Sequence, residues 1–378
     1  MAQYLSTKKA RLATRLSFFT AGFVMACCAP FFPFIKLSVG ADERQFGLLL
    51  LCFGLGSIIT MPAVGVVCAR YGARSMVLLG GFGLVVFLPA LVVAQTSFML
   101  GSMLFLFGAS LGTIDVAMNV HGVEVESLEK RSLMSSFHAQ FSIGALCGAG
   151  LMTLSISLNI SIITAALVGA CVALVAMVVA SRGLLDSRAQ EPPALALPHG
   201  IVLLLGLLAA IAFLVEGAVL DWGAILIIDQ QLTAPKNAGV GYILFSVAMV
   251  IGRLTGSKVV GLWGEFWVLI TSGMITIFGI ATVLLATLEF FALMGFALIG
   301  LGAANIVPIL FSAAGRQTVM PASLAIAAVT TTGYAGVLVG PAMVGFAADL
   351  TSLSTAFWLL AGLITLVPAT AYLVVNKT

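Results

Sequence analysis

Charge is what this sequence has least of. Aspartate, glutamate, lysine and arginine make up 8% of its 378 residues, against about 25% in an average soluble domain. A chain this poor in charge cannot present a water-soluble surface by folding alone. Histidine is rare too, with three residues, and the six cysteines (Cys27, Cys28, Cys52, Cys68, Cys147 and Cys171) all fall in apolar stretches. None of them has metal-ligand spacing, so neither a metal site nor a cofactor is implied, and the cysteines read as reduced residues of an apolar core. No G-x-x-x-x-G-K-[ST] loop is present, which argues against ATP as the direct energy source. No G-x-S-x-G elbow and no H-E-x-x-H pair appears either, and nothing points to an enzyme. The net charge of +3 is small and scattered, which speaks against a nucleic-acid partner.

What is abundant is hydrocarbon. Hydrophobic residues reach 61% and the mean hydropathy is +1.19. The reading is an all-α integral membrane protein whose partner is the lipid bilayer. The basic start (Lys8, Lys9, Arg11, Arg15) runs straight into a long apolar segment, unlike a cleavable signal peptide. A spanning helix needs about 20 apolar residues. With turn and charge signals as breaks, twelve segments emerge, at 16–36, 45–69, 75–95, 98–122, 134–155, 160–181, 200–228, 238–257, 266–287, 290–312, 322–347 and 354–375.

Lysine and arginine favour the cytoplasmic side in short loops. With both termini inside, that side collects Lys8, Lys9, Arg11, Arg15, Arg70, Arg74, Lys130, Arg131, Arg182, Arg188, Arg253, Lys258, Arg316 and Lys377, which is fourteen of the seventeen cations. Only Lys36, Arg44 and Lys236 fall outside. Residues 182–199, with their prolines and mixed charges, read as a cytoplasmic linker between a six-helix half at 1–181 and another at 200–378. The pairs Gly144/Gly148 and Gly336/Gly340 share a spacing and an offset of 192 residues. This hints at a repeat and at close helix packing. Twelve spans in two related halves are the layout of many secondary transporters, whose site lies near the midplane.

Ionisable residues inside a span are functional candidates. In VEGAVLDWGAILI, residues 215–227, Glu216 lies about 22 Å along its helix, and Asp221 another ~7–8 Å toward the outside and turned by ~140°. The two therefore face different ways. Glu216 is expected to be an unpaired, protonatable carboxylate that couples protons or binds a substrate. Its alternative is a structural pairing with a buried hydroxyl or amide. Asp221 could couple protons at the outer mouth or be a solvated end residue. Asp115 and Asn119, four apart in the fourth segment, share a face. No cation shares that helix segment, and Asp115 is a second proton-coupling candidate, or a permanently hydrogen-bonded carboxyl. His138 and Gln140 open the fifth segment, where a histidine can relay protons or merely cap a helix. Asn305 precedes Pro308, which frees a backbone carbonyl and permits a bend. The hydroxyls of TTTGY (330–334), with Thr332 and Tyr334 foremost, could line a polar cavity or bond back to their own helix. Trp222 could stack on a solute ring or anchor at the interface.

The stretch GVVCARYGAR at 65–74 resembles the Gly-x-x-x-Asp-Arg-x-Gly-x-Arg signature of the major facilitator superfamily. Gly65, Arg70, Gly72 and Arg74 match, while Ala69 stands where the family has aspartate. The corresponding GSKVVGLWGE of the second half keeps neither acid nor arginine at the expected places. The resemblance implies the major facilitator fold and a cytoplasmic gating role for Gly65, Arg70, Gly72 and Arg74, with the usual latch altered. FGASLGTIDVAMNV, HAQFSIG, EGAVLDW and TTGYAGVLVGP further resemble the bacterial inner-membrane group typified by YbjJ. That group is distantly similar to sugar–proton symporters of the fucose permease type, in which a helix 4 acid acts; here that role would fall to Asp115. A bacterial inner membrane and a monomeric state are likewise what the resemblance implies.

The functional expectation is a proton-coupled secondary transporter of a small polar solute, sugar-like by preference, working by alternating access. Substrate contacts are expected from Asn119, His138, Gln140, Glu216, Trp222, Asn305, Thr332 and Tyr334. One alternative is an exporter of amphipathic compounds using Phe31, Phe32, Phe34, Tyr242, Phe245 and Tyr334. The other is a membrane sensor that transports nothing.

Overall fold

Hydrocarbon offers the backbone no hydrogen-bond partners, so a spanning chain must satisfy its own amides, and a helix does so within one segment. The computed structural model of the chain describes residues 2–41, 43–186, 197–233 and 239–378. The centre of the 182–199 linker, with Arg188, lies outside these residues, as does Lys236.

The described residues form two compact units, one of residues up to Lys130 with Phe137–Leu197, the other of Arg131–Ser136 with Pro198–Thr378. The first holds α1 (Ala2–Cys28), a 3₁₀ turn (Ala29–Phe31), α2 (Phe32–Ser38), α3 (Glu43–Tyr71), α4 (Ala73–Val92), α5 (Ser97–Glu129), all but the first turn of α6 (Met134–Ser157), and α7 (Ile162–Ser181). The second holds α8 (Ile201–Asp229), α9 (Val240–Leu284), α10 (Glu289–Ala303), α11 (Ile306–Arg316), α12 (Ala322–Leu350), α13 (Leu353–Ile364) and α14 (Leu366–Asn376). Among the described residues, ten helical stretches are long and apolar enough to cross a membrane. Each of the twelve expected segments falls on helix over most of its length.

Glycine or proline explains some of the breaks. The first expected span breaks at Cys28, just ahead of Pro30, so that it is one long helix, a tight turn and a short helix. Helix α9 runs 45 residues but is broken at Gly264, whose φ of 76° and ψ of 158° are open only to glycine at little cost. This break corrects an expected boundary: the eighth segment continues past residue 257 to the residue before Gly264. Lys258 and its polar neighbours sit on a helix, not in a turn. Pro308 and Pro368 each lie four residues beyond the last residue or C-cap of the preceding helix, α10 and α13. A proline has no N–H for the carbonyl four residues back, so both helices break there.

The internal repeat is visible in backbone detail. Gly72 between α3 and α4 has φ 82° and ψ 157°, almost the values of Gly264, 192 residues later. Helices α5 and α10 start at Ser97 and Glu289, the same distance apart, each after an extended cap residue. A Cβ on Gly108 would strike the carbonyl oxygen of Phe53; one on Gly300 would strike that of Phe245. These four residues also pair at that offset. Gly144 presses on the Phe19 carbonyl of α1 and Gly336 on the Ala210 carbonyl of α8. Small residues here let backbones meet, which is how helices associate without a hydrophobic driving force between them.

These contacts set an expectation. Gly108→Ala and Gly300→Ala each force two helices apart and should cost about 1–3 kcal/mol as overpacking. Gly150, where an added methyl group would meet nothing within 4 Å, should accept alanine. Thermal unfolding of the three detergent-purified variants checks this, and equal stability of all three would refute it.

Candidate functional site

Glu216 sits halfway along α8, in a run whose neighbours Val215, Gly217 and Ala218 are buried. Its carboxylate is not unpaired, as the sequence suggested. Arg253 Nη2 donates to Glu216 Oε1 at 3.5 Å. Arg253, counted among the cytoplasmic-side cations near the end of the expected eighth segment, is the partner the sequence did not supply. It lies midway between Val240 and the break at Gly264, and its side chain is 7% exposed against 19% for Glu216. The extra turns of α9 beyond residue 257 are what place it at that depth. A cation or a carboxylate alone at mid-helix is costly in hydrocarbon, and each supplies the other's counter-charge.

A second contact fixes the arginine. Pro308 cannot donate to the carbonyl of Ala304, and Arg253 Nε takes up that carbonyl at 3.4 Å. Asn305, the next residue, occupies the break between α10 and α11, and its Nδ2 donates to the Gly252 carbonyl at 3.1 Å. Its Oδ1 is buried and has no partner among the described residues. The part-exposed Tyr242 is hydrogen-bonded to Ser246 and lies within electrostatic reach of Glu216, Asp221 and Arg253. Glu216 and Arg253 thus form an ion pair inside the second unit, with Asn305 bonded to the backbone beside the arginine.

The other candidates of this unit stand apart from it. Asp221 is exposed, in keeping with the turn that separates it from Glu216. Trp222 lays its ring against Gly345 of α12, and its buried Nε1 has no partner among the described residues. The hydroxyl of Thr332 donates to the Ala328 carbonyl at 2.8 Å, and Thr330 and Thr331 bond back to their helix in the same way. Tyr334 meets Phe213 edge-on at 6.4 Å. Of the aromatics considered as an amphipathic surface, Phe31 and Phe245 are buried, while Phe34 and Tyr242 are more exposed.

In the first unit, Asn119 Nδ2 donates to both the carbonyl and Oδ1 of Asp115, at 2.9 and 3.2 Å. The shared face is real, and both side chains are buried. His138 is buried with its ring edge-on to Phe18 at 5.1 Å, and Gln140 is half-buried on the same helix. Gly65 is buried within α3. Gly72 makes the turn that follows, Arg70 lies over the Tyr71 ring at 5.4 Å, and Arg74 Nη1 donates to the Leu184 carbonyl at 3.4 Å. In the second unit, Glu265 follows Gly264 and pairs with Arg316 at the end of α11, at 2.6 Å. There a carboxylate follows the turn glycine where the first unit has Ala73.

His121 carried no expectation from the sequence. It is fully buried. Its Nδ1 lies 2.9 Å from Thr14 Oγ1 on α1, and its Nε2 accepts from the Leu185 amide at 2.9 Å. The Leu185 bond requires an unprotonated Nε2, so Nδ1 carries the proton and donates to Thr14. The ring therefore joins α1, α5 and the chain leaving α7. Its only sequence signal was a histidine inside an apolar helix.

Two stability outcomes follow. Arg253→Met or Glu216→Gln alone strands one charge or its partner and should destabilise by roughly 3 kcal/mol, the low end for a buried pair given the long contact. The double variant should lose less than the two singles combined; additive losses measured by thermal unfolding would refute the coupling. His121→Ala should cost about 1–3 kcal/mol through the unsatisfied groups it leaves and should speed hydrogen exchange at the Leu185 amide. Unchanged exchange there would count against the staple.

The family model described as Major Facilitator Superfamily matches residues 16–318. An uncharacterized MFS-type transporter of Yersinia pestis is 42% identical over 363 residues, covering 96% of this chain and 94% of its own. The human organic anion transporter MFSD10 superposes with a TM-score of 0.81 at 14% identity, over 97% of this chain and 99% of its own. The Escherichia coli fucose:proton symporter FucP gives 0.74 at 14% identity, over 96% and 98%. At such identities the structural likeness speaks for the fold alone.

Proposed function

The chain belongs to the Major Facilitator Superfamily, a multi-pass membrane transporter, and from that premise we propose that it moves a small polar solute by proton-coupled alternating access. The observation that carries this reading is the Glu216–Arg253 pair, a carboxylate and a cation facing each other midway along two apolar helices. Structure alone does not need such a pair, since a well-packed apolar substitute is often no less stable. Its retention at that depth points to work done on a solute or a proton.

In this reading Glu216 exchanges the proton, Arg253 holds it as a carboxylate between turnovers, and Asp115 is the second coupling group. Asp221, exposed beyond Glu216, serves the mouth. Asn305 and Tyr242 contact the solute from the second half. Asn119, His138 and Gln140 of the first half, and Trp222, Thr332 and Tyr334 of the second, are further solute-contact candidates, each taken within its own half. The halves are 1–181 and 200–378, joined by a linker at 182–199, with both termini cytoplasmic in a bacterial inner membrane and a monomer as the working unit. Gly65, Arg70, Gly72 and Arg74 serve the cytoplasmic gate. A sugar-like solute is favoured by the fold shared with FucP, a fucose:proton symporter by title.

Glu216→Gln keeps the size and hydrogen-bonding ends of the side chain but cannot cycle a proton. In proteoliposomes it should abolish proton-driven accumulation and leave solute exchange intact. Uphill transport at the normal rate by this variant would sink the assignment.

A further inference from the structure

A groove of about 540 Å³ runs along α4 in the first unit, from Ser75 to Phe87. Leu78, Leu79, Phe82 and Val86 line it between those ends. Their spacing by three and four residues keeps them on one face of the helix. Leu79 is 63% exposed and Val86 61%, so no other helix of the unit covers this face. Twelve residues of helix span about 18 Å. One bilayer leaflet holds about 15 Å of hydrocarbon, half of a ~30 Å core. The groove is therefore about one acyl chain long, and it begins at the end of α4 that follows a turn.

That turn supplies a cation. Arg70 stands in the last turn of α3, and Gly72 leads the chain into α4. So short a turn between two apolar helices lies at the membrane surface, where lipid headgroups are. Arg70 is exposed, with its guanidinium over the Tyr71 ring at 5.4 Å. No carboxylate pairs with it among the described residues, and Ala69 precedes it where the family signature has aspartate. Glu124 comes within electrostatic reach of Cys68, but Cys68 is on the buried side of α3. Arg74 is tied to the Leu184 carbonyl. An arginine resting on a ring, with no acid beside it, keeps its N–H fork for a phosphate. The second half has lost both features. At the offset that relates Gly72 to Gly264, Leu262 stands for Arg70, and Trp267, itself exposed, stands for Ser75 at the head of the groove.

We propose that this face of the first half holds one anionic phospholipid, with an acyl chain along the α4 groove and its phosphate on Arg70. The length of the groove sets the chain, and the arginine at its head sets the charge. A headgroup with a net negative charge is preferred to a zwitterionic one, because no acid beside Arg70 is there to receive a lipid ammonium. The site belongs to the first half alone, since the second offers neither the cation nor an open head to the groove. The inference is independent of the solute and of the coupling ion.

The test is native mass spectrometry of the full chain, delipidated in detergent and titrated with palmitoyl-oleoyl phosphatidylglycerol or with the phosphatidylcholine of the same chains. The first phosphatidylglycerol adduct should form at about fivefold lower lipid than the first phosphatidylcholine adduct, which is what one arginine at an anionic surface is worth. Arg70→Gln should remove that preference and Arg70→Lys should keep it. Val86→Trp, which fills the groove away from the arginine, should weaken both lipids several-fold and leave their ratio unchanged. Arg70 and Val86 are both exposed, so the variants should keep the Tm of the unaltered protein, which confirms their fold. Equal retention of the two lipids by the unaltered protein overturns the proposal, as does an Arg70→Gln protein that keeps the full preference. Undiminished phosphatidylglycerol binding by Val86→Trp overturns the placing of the chain in the groove. Glycerol 3-phosphate displacing the lipid as well as added phosphatidylglycerol does would point to a free phosphate and also overturn it.

Discussion

A backbone carbonyl left open in hydrocarbon must find a donor, and much of the second unit's chemistry follows from one such carbonyl. Pro308 cannot serve Ala304, so the helix breaks and the carbonyl turns to Arg253. The arginine is then held at mid-helix, where a lone charge is costly, and Glu216 meets it from α8. Asn305 falls in the break and reaches Gly252 beside the arginine. A single missing N–H thus orders an amide, a guanidinium and a carboxylate on three different helical elements. The same defect at Pro368 breaks α13 from α14, and there the flanking sequence from Leu353 to Asn376 holds no ionisable residue but Tyr372.

The repeat makes the specialisation of the halves plain. At the offset that relates Gly72 to Gly264 and Gly108 to Gly300, the counterparts of Glu216 and Arg253 are Val24 and Met61, and that of Pro308 is Val116. In return the first half carries Asp115 and Asn119 where the second has Val307 and Phe311. The scaffold positions that let backbones touch are kept, because a Cβ there would collide with a carbonyl oxygen whatever the function. The polar positions are not kept between the halves. One half holds a paired carboxylate with a fixed cation; the other holds a carboxyl bridged to a neighbouring amide.

Much of the fold could be read from the sequence, because bilayer thickness sets the length of each apolar run and glycine and proline mark the breaks. The face shared by Asp115 and Asn119 and the divergence of Glu216 from Asp221 were legible for the same reason, since both follow from helix pitch within one segment. What joins distant segments was not. Glu216 and Arg253 are 37 residues apart, His121 and Thr14 107, and no spacing rule connects such pairs. Arg253 was counted with the cytoplasmic-side cations because its expected segment ended at residue 257, whereas the helix runs on to the break at Gly264. The threonines of TTTGY were open to two readings, a polar lining or bonds back to their own helix, and the second is what their hydroxyls do.

Each of the two compact units is closed at its ends as well as in its core. In the first unit the chain leaving α7 is tied back three times in succession: Gly183 lies against the Lys9 carbonyl, the Leu184 carbonyl receives Arg74, and the Leu185 amide reaches His121. Arg11 and Glu129, at 3.0 Å, bind α1 to the end of α5 beside them. In the second unit the equivalent closure is the Glu265–Arg316 pair next to Gly264. The first unit carries Arg74 two residues after its turn glycine and the second carries Glu265 directly after its own, and each tie stays within its half. Substituting Ala69 for the familiar aspartate therefore need not leave either half open, because the neighbouring residues tie each end to its own helices.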